Sequence, residues 1–235
     1  MEKQFDVSGI PVQMQRREIM KKLAILCGMF LFAGSAVAAG DAKPEEGMVG
    51  NPEAGQEKAQ VCAACHGPDG NSPTGGFPII AGQHERYIVK QLMDYKLGAE
   101  TNGEQGRLNM IMAGQVANLS EQDMYDLAAY FASQENEVGA APEEVVEPGM
   151  ALFMGGDAER GITACAACHG PSGLGVGQAG FPLLSGQHPE YTQLQLEQFR
   201  SGERANDPNG MMRSVAGKLT DEDIELLSQY IRGLY

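Results

Sequence analysis

Two identical five-residue segments constrain this chain of 235 residues more than any other feature: Cys62-Ala63-Ala64-Cys65-His66 and Cys165-Ala166-Ala167-Cys168-His169. Each sets two thiols one helical turn apart with a histidine directly after the second. That is the attachment pattern of a c-type haem. The thiols add to the two vinyl groups of a porphyrin, and the adjacent imidazole reaches the iron from the proximal side. Two other chemistries use Cys-x-x-Cys. A redox dithiol requires no histidine after the second cysteine and sits in a strand-turn-helix setting. Zinc would need the two knuckles to meet, yet they are far apart in the chain, and each is followed by a glycine-rich loop rather than a short ribbon. Two covalent haem groups are the reading that uses every residue of both segments.

The N-terminus supplies a compartment for that chemistry. Lys21-Lys22 precede an apolar run from Leu23 to Ala33, and Gly34-Ser35-Ala36-Val37-Ala38 places small residues where a signal peptidase reads. This is a secretory pattern, too short to span a bilayer comfortably, and it predicts cleavage before Ala39 and export to the periplasm. A retained membrane anchor is the competing reading. Met20, followed directly by Lys21-Lys22, is a more typical start for such a signal than Met1, which marks residues 1–19 as a candidate upstream extension. Cleavage would also discard Cys27, so that every remaining cysteine belongs to a knuckle.

The knuckles are part of a longer internal repeat. Cys-Ala-Ala-Cys-His-Gly-Pro recurs, Gly76-Phe77-Pro78 matches Gly180-Phe181-Pro182, and Gly82-Gln83-His84 matches Gly186-Gln187-His188. Tyr87 pairs with Tyr191, Leu119-Ser120 with Leu219-Thr220, and Tyr130 with Tyr230. The predicted organisation is a signal over 1–38, a first domain over 39–134, a linker over 135–148 and a second domain over 149–235. The linker, with Pro142, Glu143, Glu144, Glu147 and Pro148, is acidic and proline-punctuated and is not expected to fold alone.

Both repeats read as helical. Asn51-Pro52 opens a helix leading to the first knuckle, and Pro148 is expected to do the same for Met150 to Phe153. Tyr87, Ile88, Gln91, Leu92 and Tyr95 fall at helical spacing, as do Tyr191, Leu194 and Phe199. Ser120 with Asp123, and Thr220 with Asp223, cap the last helices. Their inward stripes are Met124, Leu127, Ala128 and Phe131, and Ile224, Leu227 and Ile231. No alternating strand pattern follows the signal.

The second axial position of each iron decides between electron transfer and chemistry on a bound ligand. Met112 lies as far before Leu119 as Met212 lies before Leu219, and no other methionine recurs in this way. A single methionine is more often core filler, but two at equivalent loop positions before a capped helix are candidate axial ligands. His84 and His188 also recur and are the rivals; their place at the start of the middle helix favours a helix-start or propionate-side role.

Composition agrees with a cofactor-filled interior. Aromatic residues are only 6% of the chain, there is no Trp, and Gly numbers 31. Domains this small are short of buried surface and recruit a metal, disulfide or cofactor when the core is thin. A net charge of −14 argues against nucleic acid or an anionic membrane as the main partner and suits basic protein patches.

Taken together, the knuckles, the Gly-Phe-Pro and Gly-Gln-His-x-x-Tyr segments and the loop methionine before a capped helix resemble class I cytochrome c domains in tandem, and the pairing resembles the dihaem cytochrome c4 family. The likeness runs from about Asn51 to Tyr235. It implies an all-α fold of two domains, each wrapped around one covalent haem c, attached at Cys62 and Cys65 and at Cys165 and Cys168. It implies axial ligation by His66 and Met112 and by His169 and Met212. The carbonyls of Pro78 and Pro182 would accept hydrogen bonds from the ligand histidines, orienting each ring. The implied role is periplasmic outer-sphere electron carriage from a cytochrome bc complex or dehydrogenase to a haem-copper terminal oxidase, rather than enzymatic turnover. The chain is expected to be a monomer, with peripheral membrane association left open. A dihaem cytochrome c peroxidase, or a cytochrome subunit fixed in a dehydrogenase or oxidase complex, are the alternatives.

Overall fold

Asn51 opens the first helix as its residue types require: its side chain accepts from the Ala54 N–H at 2.9 Å, and Pro52 occupies the first helical position, where no N–H is needed. The computed structural model describes residues 48–235, so the expected signal over 1–38 and residues 39–47 lie outside the described residues. The first repeat contains α1 (Pro52–Lys58), α2 (Gln60–His66), α3 (Glu85–Glu100), α4 (Met110–Val116) and α5 (Glu121–Ala132). The second contains α6 (Glu143–Gly155), α7 (Ala166–His169), α8 (Pro189–Ser201), α9 (Met211–Ala216) and α10 (Asp221–Arg232). Among the described residues, extended pairing is limited to the isolated bridges Asp157–Ile162 and Val176–Phe181.

The first and last helices of each repeat pack against each other, α1 on α5 and α6 on α10. Glycine makes the approach close. A Cβ on Gly55 would lie 2.0 Å from the carbonyl oxygen of Asp126, and one on Gly149 would lie 2.6 Å from the Cβ of Tyr230. Below these contacts the inward stripes form the cores as expected. Leu127, Ala128 and Phe131 pack with Ile88, Val89 and Tyr130 in the first domain, and Ile224, Leu227 and Ile231 with Phe153, Tyr230 and Leu234 in the second. Both capping boxes form: Ser120 and Thr220 each accept from the N–H three residues on, and Asp123 and Asp223 return a bond to the capping residue's N–H.

Two expectations need correction. The linker segment is helical from Glu143 onward, packed on α10, and Pro148 lies inside α6 rather than at its start. Pro148 has no N–H to donate to the carbonyl four residues back, that of Glu144, an exposed residue in the first turn of α6. The preceding stretch is tied to both halves: Asn71 Nδ2 donates to the Glu135 carbonyl at 2.8 Å, and Asn136 Nδ2 donates to the Ser185 carbonyl at 2.9 Å. Leu194, placed by helical spacing in the core stripe of α8, is 48% exposed. The buried face of α8 is instead Thr192, Gln195 and Phe199, because this helix meets the other domain through polar side chains.

Candidate functional site

Each knuckle is set on a short helix that ends at its histidine. Cys62 and Cys65 lie on successive turns of α2; Cys165 immediately precedes α7, which carries Cys168. All four thiols are partly buried. Burial pushes the Cys62 thiol above its usual range and the Cys165 thiol up to about 11. An attacking dithiol needs the opposite shift, which argues against the thioredoxin-type reading. Nor do the knuckles meet: among the described residues no three His, Cys, Asp or Glu side chains cluster as a metal site, which removes the shared zinc site.

The histidines are buried and held by one ring nitrogen. His66 Nδ1 donates to the Pro78 carbonyl at 2.9 Å, and His169 Nδ1 donates to the Pro182 carbonyl at 3.0 Å. Burial lowers the pKa of both rings, partly opposed by these bonds, so the neutral imidazole with Nε2 uncommitted is favoured. Phe77 and Phe181 flank the rings at 6.3 and 6.2 Å between centroids. A ring fixed in this way through Nδ1 is oriented to present Nε2 to a metal.

Met112 and Met212 occupy matching places in the first turns of α4 and α9. Both are half-buried, while their neighbours Met110, Ile111 and Met211 are exposed. The turn at Met112 is fixed by Asn109, whose side chain accepts from the Met112 N–H at 3.0 Å. In the second repeat Asp207 plays the corresponding part, accepting from the Arg213 N–H at 3.0 Å. His84 and His188 start α3 and α8, as expected of the rival candidates, but their Nε2 atoms are committed across the domain boundary. His84 donates to the Leu174 carbonyl at 2.8 Å and His188 to the Ser72 carbonyl at 2.9 Å.

The boundary also holds a cluster that sequence comparison missed. Arg107 and Arg204 are both buried, and each stacks over an aromatic ring, Tyr95 at 4.9 Å and Phe199 at 4.4 Å. Arg107 donates to Gln91 at 2.8 Å and to Gln195; Arg204 donates to Gln195 at 2.9 Å, to Gln91 at 3.1 Å and to the Tyr87 hydroxyl at 3.0 Å. Burial alone would raise the pKa of Tyr191, but the two guanidiniums hold it below its ordinary value. The arginines escaped notice because the loops after α3 and α8 differ in length, so counting from either knuckle does not align them. Their signal was structural: Arg107 N–H bonds to the carbonyl of Asp94 and Arg204 N–H to that of Gln198, the same place on each middle helix.

Neither buried guanidinium has a carboxylate partner among the described residues. Burying an unpaired charge is costly, so the pair calls for an anion. The propionates of a haem would supply one. With thiols at attachment spacing, oriented imidazoles and buried cations that no carboxylate pairs, the residues present fit the group.

Two helical domains, each built around one Cys-x-x-Cys-His knuckle, define a tandem c-type cytochrome. The cytochrome c family profile matches twice, over residues 52–135 and 146–235. The chain is 50% identical to cytochrome c4 of Stutzerimonas stutzeri, covering 86% of this chain and 93% of the relative, and 47% identical to cytochrome c4 of Azotobacter vinelandii, covering 92% and 99%. The crystal structure of reduced recombinant cytochrome c4 from Pseudomonas stutzeri superposes with a TM-score of 0.78 at 50% identity, over 80% of this chain and all of that one. The chain belongs to the cytochrome c4 family: it is a dihaem electron-transfer protein with two covalently bound haem c groups.

Proposed function

We propose that the protein is a periplasmic carrier that passes electrons from a respiratory donor, a cytochrome bc complex or a dehydrogenase, to a haem-copper terminal oxidase. When bound, each haem supplies an iron that cycles between ferrous and ferric. The remaining work belongs to the chain. Cys62, Cys65, Cys165 and Cys168 hold the two groups covalently. His66 and His169, oriented by Pro78 and Pro182, would each offer Nε2 to an iron, and Met112 and Met212 would each offer a thioether as the second ligand. Arg107 and Arg204 neutralise propionates at the domain boundary. Ligation of each iron by a histidine and a methionine would leave no site for a substrate, which favours outer-sphere transfer over peroxidase chemistry. The Met thioether raises the potential relative to a second histidine.

The observation that carries this reading is the matched pair of buried histidines, each tied through Nδ1 to the proline carbonyl of its own repeat. It is supported by the half-buried methionines at equivalent turns. An optical spectrum of the purified protein tests it. Two haems per chain, a c-type alpha band and the weak far-red band of iron–Met ligation are expected; absence of the far-red band, or measurable peroxide turnover, would overturn it. Export is tested by N-terminal sequencing of the periplasmic protein, which should begin at Ala39.

A further inference from the structure

We propose that Gln187 and Gln83 are positioning residues that tune the haem of the opposite domain, acting through the peptide unit that holds its proximal histidine. This rests on the axial roles proposed above for His66 and His169. The peptide unit joining Pro78 to Ile79 is engaged at both ends. Its carbonyl accepts from His66 Nδ1 at 2.9 Å, and its N–H donates to Gln187 Oε1, a side chain of the second domain, at 2.9 Å. The counterpart runs the other way. The unit joining Pro182 to Leu183 accepts from His169 Nδ1 at 3.0 Å and donates to Gln83 Oε1, from the first domain, at 2.9 Å.

The geometry fixes which end of each amide faces the peptide. Gln187 Nε2 donates to the Ile79 carbonyl at 2.8 Å and Gln83 Nε2 to the Leu183 carbonyl at 2.9 Å, so a flipped amide would place oxygen against oxygen. Each Oε1 also accepts from the N–H of the following histidine, His188 at 3.0 Å and His84 at 3.1 Å. Both glutamines are buried, which keeps water from substituting for them.

Linked hydrogen bonds polarise one another, by roughly 10–30% per bond in condensed phases. An acceptor on the N–H therefore makes the proline carbonyl a stronger acceptor for Nδ1–H. The imidazole becomes more electron-donating, which favours ferric iron and lowers the potential. Each domain would thus set part of its partner's potential, and only while the two are docked.

The test is a spectroelectrochemical titration of the full dihaem protein and of Gln187→Leu and Gln83→Leu, with each potential assigned to its domain by NMR. Gln187→Leu is expected to raise the potential of the His66 haem and Gln83→Leu that of the His169 haem. The expected size is about three- to tenfold in the redox equilibrium, or about 30–60 mV for a one-electron couple. In the ferrous protein the Nδ1–H resonance of that same histidine should move upfield. Gln187→Asn and Gln83→Asn, which stay polar but are too short to hold Oε1 on the peptide N–H, should shift the opposite domain's potential upward as the leucine variants do and keep the proposal testable if a leucine variant fails to fold. A shift confined to the variant's own domain, an equal shift in both, or no shift with both haems retained would overturn the proposal. Absence of the iron–Met band in the unaltered protein would instead overturn the axial reading on which it rests.

Discussion

Arg204 and Gln91 belong to different domains, yet Arg204 Nη2 lies 3.1 Å from Gln91 Oε1, and the reciprocal bond joins Arg107 to Gln195. Arg204→Leu removes the bonds to the Tyr87 hydroxyl and Asn206 and the second donor to Gln91 and Gln195, which keep Arg107. The expected loss is about 1–3 kcal/mol. Denaturant unfolding followed separately at the two haems should change from one coincident transition to two.

The close crossing of α1 on α5 leaves no room for a methyl group at Gly55. Gly55→Ala would drive a Cβ into the Asp126 carbonyl, so the helices must separate. A destabilisation of about 1–3 kcal/mol is expected from overpacking, measurable as a lower denaturation midpoint with an unchanged haem count.

Asp126 is buried and accepts from the Asn51 N–H at 2.9 Å, from Gln122 at 2.8 Å and from Lys58 at 2.9 Å. The Asn51 N–H is foremost in holding its carboxyl below the usual range, against the opposing effect of burial and with help from Gln122 and Lys58. A depressed folded-state pKa contributes stability that is present above the unfolded value, near ~3.9, and is lost as pH falls through the folded value. Asp126→Asn should therefore lower stability at neutral pH and flatten its decline below about pH 4. Urea titrations across that range, compared with the unaltered protein, measure the difference.

Met112→Ala should leave two haems per chain but remove the iron–Met contribution of one of them, about half of the far-red band. The altered haem should bind an added small ligand such as imidazole, and its potential should fall. A spectrum unchanged by the substitution would assign the ligand elsewhere.

The excess of acidic side chains favours encounter with a basic redox partner. Stopped-flow association with such a protein is expected to slow as ionic strength rises, because the Debye length shrinks to about 10 Å at 0.1 M. A flat dependence would count against electrostatic steering.

Much of the site was legible in the sequence because its chemistry is local. The thiol spacing, the adjacent histidine, the capping pairs Ser120–Asp123 and Thr220–Asp223 and the core stripes of the last helices all lie within a turn or two of chain. Pro148 and Leu194 misled because each was judged by its own neighbours. The exposure of Glu144 and the polar face of α8 depend on what lies beside them in space.

By itself, the sequence determined two haem-binding repeats, since covalent attachment and helix capping act between close neighbours. Only the tertiary structure decided how the repeats are joined. The Gly-Gln-His segment was visible as a recurrence, but Gln83 bonds to Leu183 and Gln187 to Ile79, partners supplied by the other copy. Arg107 and Arg204 likewise become equivalent only in space. A bond between repeats depends on the packing of whole helices, and no spacing within one repeat encodes it.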